Sequence, residues 1–227
     1  MTTTSIFLKK TLAVFSLIIF FIIICLPVSA KSDDDAENEY NTWISAAVKH
    51  DFSKKFRLKI TPELRLTSDF EWNKFLIEGE LEYELLKYLG ISGGYRFTID
   101  NNGSKDDTHL QRFFLDINTS TKINRFKPKF RLKYTNESRL DKDKQYNYLR
   151  YKGSIDYNIR DSKINPFVSI EAFHSLDDQM IDKLRYHIGA EYKINKHHQV
   201  EAGYMLDSFT DENKYSHIVG LKYDFKF

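Results

Sequence analysis

The strongest constraint on the fold is a period-two alternation of apolar and polar residues at the C-terminal end of the chain. Every second residue from His217 belongs to one largely apolar set: His217, Val219, Leu221, Tyr223, Phe225 and Phe227. The residues between them are Ile218, Gly220, Lys222, Asp224 and Lys226. Because successive side chains of a β-strand point to opposite faces, one face can contact lipid while the other carries charge. This pattern is typical of a transmembrane β-strand.

The last residues of the chain also indicate a cellular location. Tyr223, Phe225 and Phe227 place aromatic residues at alternate positions up to the final one. This arrangement resembles the C-terminal signal that is read by the barrel-insertion machinery of the outer membrane. We therefore predict the outer membrane of a Gram-negative-type bacterium as the location. The expected partners are outer-membrane lipid, lipopolysaccharide and, during assembly, the insertion machinery.

The same alternation recurs from Tyr40 to the C-terminal end without a domain break. Eleven segments are predicted at residues 40–51, 55–67, 72–86, 88–99, 108–121, 126–139, 146–159, 165–175, 182–194, 198–208 and 215–227. Helical spacing of three and four residues is missing from these segments. Short connections alternate with longer and more highly charged ones, as in outer-membrane barrels. The fold class predicted is all-β, an antiparallel transmembrane β-barrel of about 10–12 strands.

Two features do not fit a regular barrel. Bacterial single-chain barrels use an even number of strands, whereas eleven segments are counted; ten and twelve both remain open, and we favour twelve. Pro62 lies within the second segment, where its missing N–H removes a ladder hydrogen bond. We expect a β-bulge at Pro62.

The first 30 residues are predicted to be a cleaved signal peptide. Lys9 and Lys10 precede a nearly continuous apolar run at residues 11–26, and Val28, Ser29 and Ala30 supply small residues before the cleavage point. An uncleaved membrane anchor is the alternative, but the apolar run is shorter than the usual ~20 residues. Residues 31–39 then form a flexible acidic lead-in, and residues 40–227 form the barrel.

Composition excludes several classes of function. Lys and Arg number 34 against 32 Asp and Glu, so the net charge of +2 gives no reason to expect nucleic acid as a partner. The mean hydropathy of −0.50 is too polar for a helical membrane protein and suits a barrel, in which only alternate residues contact lipid. The single cysteine lies in the predicted signal peptide, so disulfides are not expected. No motif for a cofactor or a metal ion is found.

The aromatic residues are expected to form two belts at the membrane interfaces. The residues assigned to the outer belt are Trp43, Trp72, Phe97, Tyr148, Tyr186 and Tyr204. Those assigned to the periplasmic belt are Tyr88, Phe126, Tyr157, Tyr192, Tyr223 and Phe227.

The polar face of the segments is strongly charged and is predicted to form a charge network in the lumen. Its members are Arg57, Lys59, Glu78, Glu80, Glu82, Arg96, Lys129, Arg131, Lys133 and Arg150. One interpretation is a salt-bridged interior that fills a small barrel; the other is a cation-lined track for anionic solutes. We favour the first, because small barrels are usually filled by side chains.

Catalysis needs a nucleophile, a base and a group that orients the base. His174 and Ser175 are adjacent, so their side chains point to opposite faces of a strand and cannot form a dyad alone. Ser169, Glu171 and His187 are better placed, because they share the inward face of two consecutive segments. Nothing in the sequence marks Ser169 as activated, and an interior hydrogen-bond network explains the three residues as well. We therefore assign no catalytic residue, and an enzyme is the less favoured interpretation.

Several short motifs follow one another along the chain in a fixed order: Asn41-Thr42-Trp43, Glu63-Leu64-Arg65, His109-Leu110-Gln111-Arg112, Asn165-Pro166-Phe167, Glu171-Ala172-Phe173 and Tyr223-Asp224-Phe225. In the order of these motifs, the mature chain resembles a family of uncharacterised outer-membrane barrels, domain of unknown function 2490. The resemblance implies a barrel fold and supplies no activity and no functional residue.

Three hypotheses about function follow. The first is a non-enzymatic, porin-like barrel that is structural or gives narrow, charge-lined passage to small solutes. The second is a barrel enzyme acting on lipid or lipopolysaccharide at the outer rim. The third is a soluble secreted β-barrel that binds a ligand.

Overall fold

Eleven β-strands, joined in chain order, form one closed barrel in this computed structural model, which describes residues 36–101, 107–140 and 144–227. The strands are β1 (Glu37–Asp51), β2 (Phe56–Leu66), β3 (Trp72–Leu86), β4 (Leu89–Asp100), β5 (Thr108–Ser120), β6 (Phe126–Arg139), β7 (Gln145–Tyr157), β8 (Ile164–Ser175), β9 (Met180–Lys193), β10 (His198–Phe209) and β11 (Lys214–Lys226). In the described part of the chain, no helix is long and apolar enough to cross a membrane. The predicted signal peptide lies outside the described residues.

The predicted strand positions agree with the structure to within a few residues, and the all-β barrel of ten to twelve strands is confirmed. The largest difference at the N-terminal side is the start of β1, which is Glu37 instead of Tyr40. Lys214 explains it, because its Nζ lies 3.5 Å from Oε1 of Glu37 and 2.8 Å from Oε1 of Glu39. The end of the acidic lead-in is therefore held as strand against β11.

The barrel closes through a parallel pair of strands. β1 lies parallel to β11, with Tyr40 opposite His217, whereas every other neighbouring pair is antiparallel. The N–H of Glu37 donates to the carbonyl oxygen of Asn213 at 2.9 Å, and the N–H of Phe227 donates to that of Lys49 at 3.1 Å. The parallel closure accommodates an odd number of strands, so the expectations of an even number and of purely antiparallel pairing are wrong for the described barrel.

The parallel pair also fixes which chain ends lie at which rim. Glu37 lies beside the connection 210–213, at the rim that also carries the connection 67–71; we call it the long-loop rim. Phe227 lies beside Lys49 at the other end, next to the turns 52–55 and 194–197, which we call the short-turn rim. The two ends of the described barrel chain are thus at opposite rims.

Pro62 interrupts the ladder between β1 and β2 without a bulge. Ser45 is paired with Glu63 and Val48 with Ile60, and the rungs between these two pairs are missing. The register is the same on both sides of the gap, so the bulge expected at Pro62 is wrong. On its other side, Pro62 faces Ile77 of β3. The missing N–H of Pro62 therefore interrupts the pairing of β2 with β1 and leaves its pairing with β3 intact.

Side chains alternate between an apolar exterior and a mostly polar interior. Large apolar residues such as Leu81, Leu115 and Val219 are exposed on the outside. The intervening positions face the lumen, and five apolar side chains are buried there: Ala47, Leu76, Phe114, Met205 and Ile218. The interior of the barrel is thus partly filled by packed side chains, as is usual for small barrels.

Phe114 shows how tightly this interior is packed. A Cβ placed on Gly94 would lie 2.8 Å from Cε1 of Phe114, and closer still to Cζ of the same ring and to the carbonyl oxygen of Gly79. Only glycine at position 94 leaves room for the Phe114 ring and the Gly79 carbonyl group in their present positions. The free face of the ring is covered by Lys133, whose Nζ is 3.5 Å from the ring centroid.

The substitution Gly94→Ala should destabilise the folded barrel by about 1–3 kcal/mol, because the added methyl group forces Phe114 out of its position. The measurement is the temperature at which the compact, fast-migrating band of the detergent-folded protein is lost on a gel. Gly153→Ala is the matched control, since a Cβ at Gly153 meets nothing within 4 Å. Equal stability of the two variants would contradict the packing described above.

Candidate functional site

The ion pairs that line the lumen are the candidate functional site. On one part of the wall, the acidic face of β3 is paired with cations of its two neighbours. Arg57 Nη1 lies 3.3 Å from Glu82 Oε2, and Lys59 Nζ lies 3.0 Å from Glu80 Oε2. Arg96 Nη2 of β4 lies 2.6 Å from Oε2 of Glu78. These contacts follow from the register, which places each pair directly across from each other.

The remaining predicted members of the network lie on β6 and β7. Lys129 forms an ion pair with Asp156, and Lys133 Nζ lies 3.6 Å from Asp116 Oδ2. Arg131 and Arg150 both contact Glu171. The structure thus places each of the ten predicted lumen residues in an ion pair.

Glu171 of β8 is shared by two guanidinium groups. Its Oε1 accepts hydrogen bonds from Nη2 of Arg131 at 2.8 Å and from Nε of Arg150 at 3.0 Å. The carboxylate is almost completely buried beneath these two side chains. Because charge-assisted hydrogen bonds to a buried carboxylate hold both cations in place, Glu171 fixes the positions of β6, β7 and β8 relative to one another.

A second shared carboxylate, Asp207 of β10, was not among the predicted residues. Arg185 donates to both of its oxygens, from Nε at 2.5 Å and from Nη2 at 2.7 Å. Lys183 Nζ lies 2.9 Å from Oδ2 of the same carboxylate. The signal for this site is in the sequence, because the short turn 194–197 fixes a register that places Arg185 opposite Asp207.

Aromatic rings also face the lumen and contact these cations. Trp43 lies between two guanidinium groups, with Cζ of Arg65 at 3.7 Å and Cζ of Arg185 at 4.9 Å from its ring centroid. Phe173 is covered by Arg150 at 4.2 Å and by Lys183 at 4.4 Å. The assignment of Trp43 to the outer aromatic belt is therefore wrong. Cation–π contacts of this kind become stronger where water is excluded.

Two adjoining cavities lie toward the long-loop rim of the lumen. One has a volume of about 380 Å³ and the other about 540 Å³, and Lys183 and Phe209 line both. The smaller cavity includes Arg112, Tyr148, Arg150 and Phe173 in its lining. Tyr148 was also assigned to the outer aromatic belt, and its place in this cavity corrects that assignment. The space is large enough for a small polar solute.

Ser169, Glu171 and His187 lie close together but do not form a relay. Ser169 is paired with His187 across β8 and β9. Within the described part of the chain, no hydrogen bond joins His187 to Ser169 or to Glu171. The carboxylate of Glu171 instead accepts hydrogen bonds from Arg131 and Arg150. The His187 ring instead packs edge-on against Phe167, at 4.8 Å between centroids. This geometry leaves no group to orient His187 as a base.

The described residues also contain no group of three or more His, Cys, Asp or Glu that could hold a metal ion.

The aromatic residues of the predicted C-terminal signal lie on the outside of β11 and just after it. Tyr223 Oη lies 2.5 Å from Nδ1 of His198, and the Phe227 ring centroid lies 4.6 Å from that of His50. Phe225 stacks on Phe227 at 5.8 Å. Tyr223 and Phe227 are exposed and Phe225 is half-buried, so the three rings form an aromatic surface toward the short-turn rim.

The chain matches the model of a family described as "Protein of unknown function (DUF2490)" over residues 40–217. No functionally curated protein matches the sequence. A solved structure of the KdgM porin in complex with disordered oligogalacturonate is similar at a TM-score of 0.49 and 12% identity, covering 75% of this chain and 90% of that one. The siderophore receptor PirA from Pseudomonas aeruginosa is similar at a TM-score of 0.31 and 10% identity, covering 72% and 32% of the two chains.

The substitution Glu171→Gln should destabilise the barrel, because it leaves Arg131 and Arg150 without their counter-charge. Removing one partner of a fully buried pair costs about 3–5 kcal/mol, and a wetted lumen lowers this value. The measurement is the urea concentration at which the detergent-folded protein unfolds. Glu191→Gln is the matched control, since Glu191 also lies on the inward face and makes no ion pair within the described residues. A smaller loss for Glu171→Gln than for Glu191→Gln would contradict the role given to Glu171.

Proposed function

This chain belongs to the DUF2490 family, whose description gives no function, and we propose a function from its geometry. It is an outer-membrane β-barrel that provides a narrow, charge-lined passage for small solutes. The single observation that supports this proposal is the separation of an apolar exterior from a charged interior around a closed barrel.

The exterior supports a location in lipid. Exposed apolar residues occur along successive strands, among them Ile77, Leu81, Phe113, Leu115 and Val219. A soluble protein seldom exposes a continuous apolar surface of this extent. In a bilayer the same surface contacts acyl chains, and the closed ladder leaves no backbone edge exposed to lipid. This exterior argues against the soluble ligand-binding barrel.

The interior supports a narrow route rather than a wide pore. The two cavities toward the long-loop rim provide space for solutes. Buried side chains such as Leu76, Phe114 and Ile218 occupy part of the lumen. The conductance expected of such a barrel is small. The rim-enzyme alternative finds no support in the arrangement of Ser169, Glu171 and His187.

Two measurements test the proposal together. Heat-modifiable migration of the native protein in the outer-membrane fraction is expected for a membrane barrel. Purified protein in a planar bilayer should then give small, discrete current steps. A protein that stays in the aqueous fraction after membranes are pelleted would contradict the location, and a silent bilayer would reduce the proposal to a structural barrel.

The substitution Leu115→Arg should impair membrane insertion, because an arginine near the bilayer midplane costs about 2–4 kcal/mol on the lipid face of a barrel. Leu115 is exposed near the middle of β5. Leu140→Arg is the matched control, since Leu140 is equally apolar and exposed but lies after the end of β6. The readout is the yield of heat-modifiable protein refolded into lipid vesicles. Equal yields would contradict a lipid-facing exterior.

The substitution Phe227→Ser should reduce assembly in cells while leaving refolding in detergent nearly unchanged, because the proposed signal acts through the insertion machinery. Phe52→Ser is the control, since Phe52 is also an exposed aromatic residue that contacts His50 at the same rim. The readout is the amount of folded protein in outer-membrane fractions. A similar loss for both variants in cells and in detergent would indicate a purely structural role for Phe227.

A further inference from the structure

The ion pairs of the lumen present their cations to the interior and bury their carboxylates. The Glu171 side chain is 4% exposed whereas Arg131 is 30% exposed. Asp207 is 4% exposed beside Lys183 at 18%, and the same order holds for Asp100 beside Lys74. The reason is length, because Lys and Arg side chains reach past the shorter acids on neighbouring strands. The surface that a solute meets is therefore more cationic than the formal charges suggest.

In each of two clusters on the wall formed by β6 to β10, two cations share one acid. Arg131 and Arg150 share Glu171, and Lys183 and Arg185 share Asp207. Each carboxylate carries one negative charge, so each of the two clusters retains one positive charge.

Lys152 adds a further positive charge to the same row. It is paired in register with Arg131 on one side and Glu171 on the other, and its side chain makes no ion pair within the described residues. The excess positive charge is thus concentrated around Lys152 and the two shared carboxylates.

Aromatic rings contact these cations in addition to their acidic partners, which include Glu63 for Arg65. Phe173 receives Arg150 and Lys183 on its ring, and Trp43 receives Arg65 and Arg185. A ring face offers a cation partial negative charge but leaves its net charge uncompensated. An anion that enters the lumen would supply that compensation.

We propose that the lumen selects small anions over cations, with the cluster around Lys152, Glu171 and Asp207 as the selective region. This inference deepens the passage proposed above and rests on it. Rings of charged side chains set selectivity in this way in other channels. The acids Glu137, Asp182, Asp211 and Glu212 line the smaller cavity near the long-loop rim. Lys152 and Glu171 lie farther from that rim along β7 and β8, where the cationic surface selects the solute.

The first test is the reversal potential of the reconstituted protein in a KCl gradient. The native barrel should pass chloride more readily than potassium. Lys152→Glu should lower the chloride-to-potassium permeability ratio by roughly fivefold, from the Coulomb effect of reversing one charge within about 8 Å of the ion path. The fold should survive, because no carboxylate loses its partner, and heat-modifiable migration checks this. Lys122→Glu, at an exposed position in the turn between β5 and β6, is the matched control and should leave the ratio unchanged.

The second test measures fluorescence quenching and does not need an open passage. It therefore separates the proposed attraction of anions from the proposed passage. Trp43 and Trp72 are the only tryptophans of the chain, so Trp72→Phe leaves Trp43 as a single fluorophore in the lumen. Iodide quenches free tryptophan more efficiently than caesium does, so each quenching constant is divided by the constant for free tryptophan. After this normalisation, iodide should quench Trp43 at least about twofold more strongly than caesium, since the cationic wall concentrates anions. Trp43→Phe, which leaves Trp72 at the start of β3, should show no such preference.

The outcomes are distinct. Preferred quenching by iodide without any conductance supports the anion-attracting lumen and overturns the passage. Conductance that favours potassium, or equal normalised quenching of Trp43 by the two ions, overturns the inference while the passage stands.

Discussion

Backbone hydrogen bonding around a closed ring is the constraint on which the rest of this structure depends. A wall that faces lipid has no water to satisfy a free N–H or carbonyl group, so every strand must have two neighbours. Here the ring closes at β1 and β11. Once it is closed, the period of two along each strand separates an outside from an inside, and most charged side chains of the wall meet a partner of opposite charge inside.

The parallel pair of β1 and β11 is the least usual element of this ring, and side-chain contacts between these two strands reinforce it. Parallel ladders are slightly less stable per residue than antiparallel ones, and the contacts beside the ladder add to it. Lys214 contacts Glu37 and Glu39 at one rim, and Lys226 lies 2.6 Å from Asp51 at the other. Tyr40 stacks on His217 at 4.8 Å between these two ends. Ion pairs at both rims and an aromatic contact on the exterior therefore reinforce the closure.

The sequence predicts the strands well and the closure poorly, for physical reasons. β3 and β6 were predicted at 72–86 and 126–139 and are found there, because each alternates cleanly between apolar and charged residues. The pattern of β1 is ambiguous, because Trp43 and Ala47 face inward while Ile44 and Val48 face outward. Since both faces of this strand carry apolar residues, the sequence pattern does not show that Trp43 faces the lumen. The pairing of β1 with β11 depends on the total number of strands, which no local pattern encodes. The contact of Arg185 with Asp207, by contrast, follows from one short turn and was open to prediction.

The charged interior can be interpreted as a filled barrel or as a cationic track, and both interpretations concern the same ion pairs. The first describes their buried carboxylates, and the second describes the cations that remain partly exposed to the lumen. The carboxylates of Glu171 and Asp207 are buried in the wall and join neighbouring strands through their cations. Those cations keep part of their surface toward the lumen. A buried acid shared by two cations thus stabilises the wall and leaves positive charge for the interior. Stability requires that the acids be retained, since losing one leaves two cations without their counter-charge. The charge of Lys152 is not needed to pair an acid of the wall, and it is the charge on which the proposed selectivity depends.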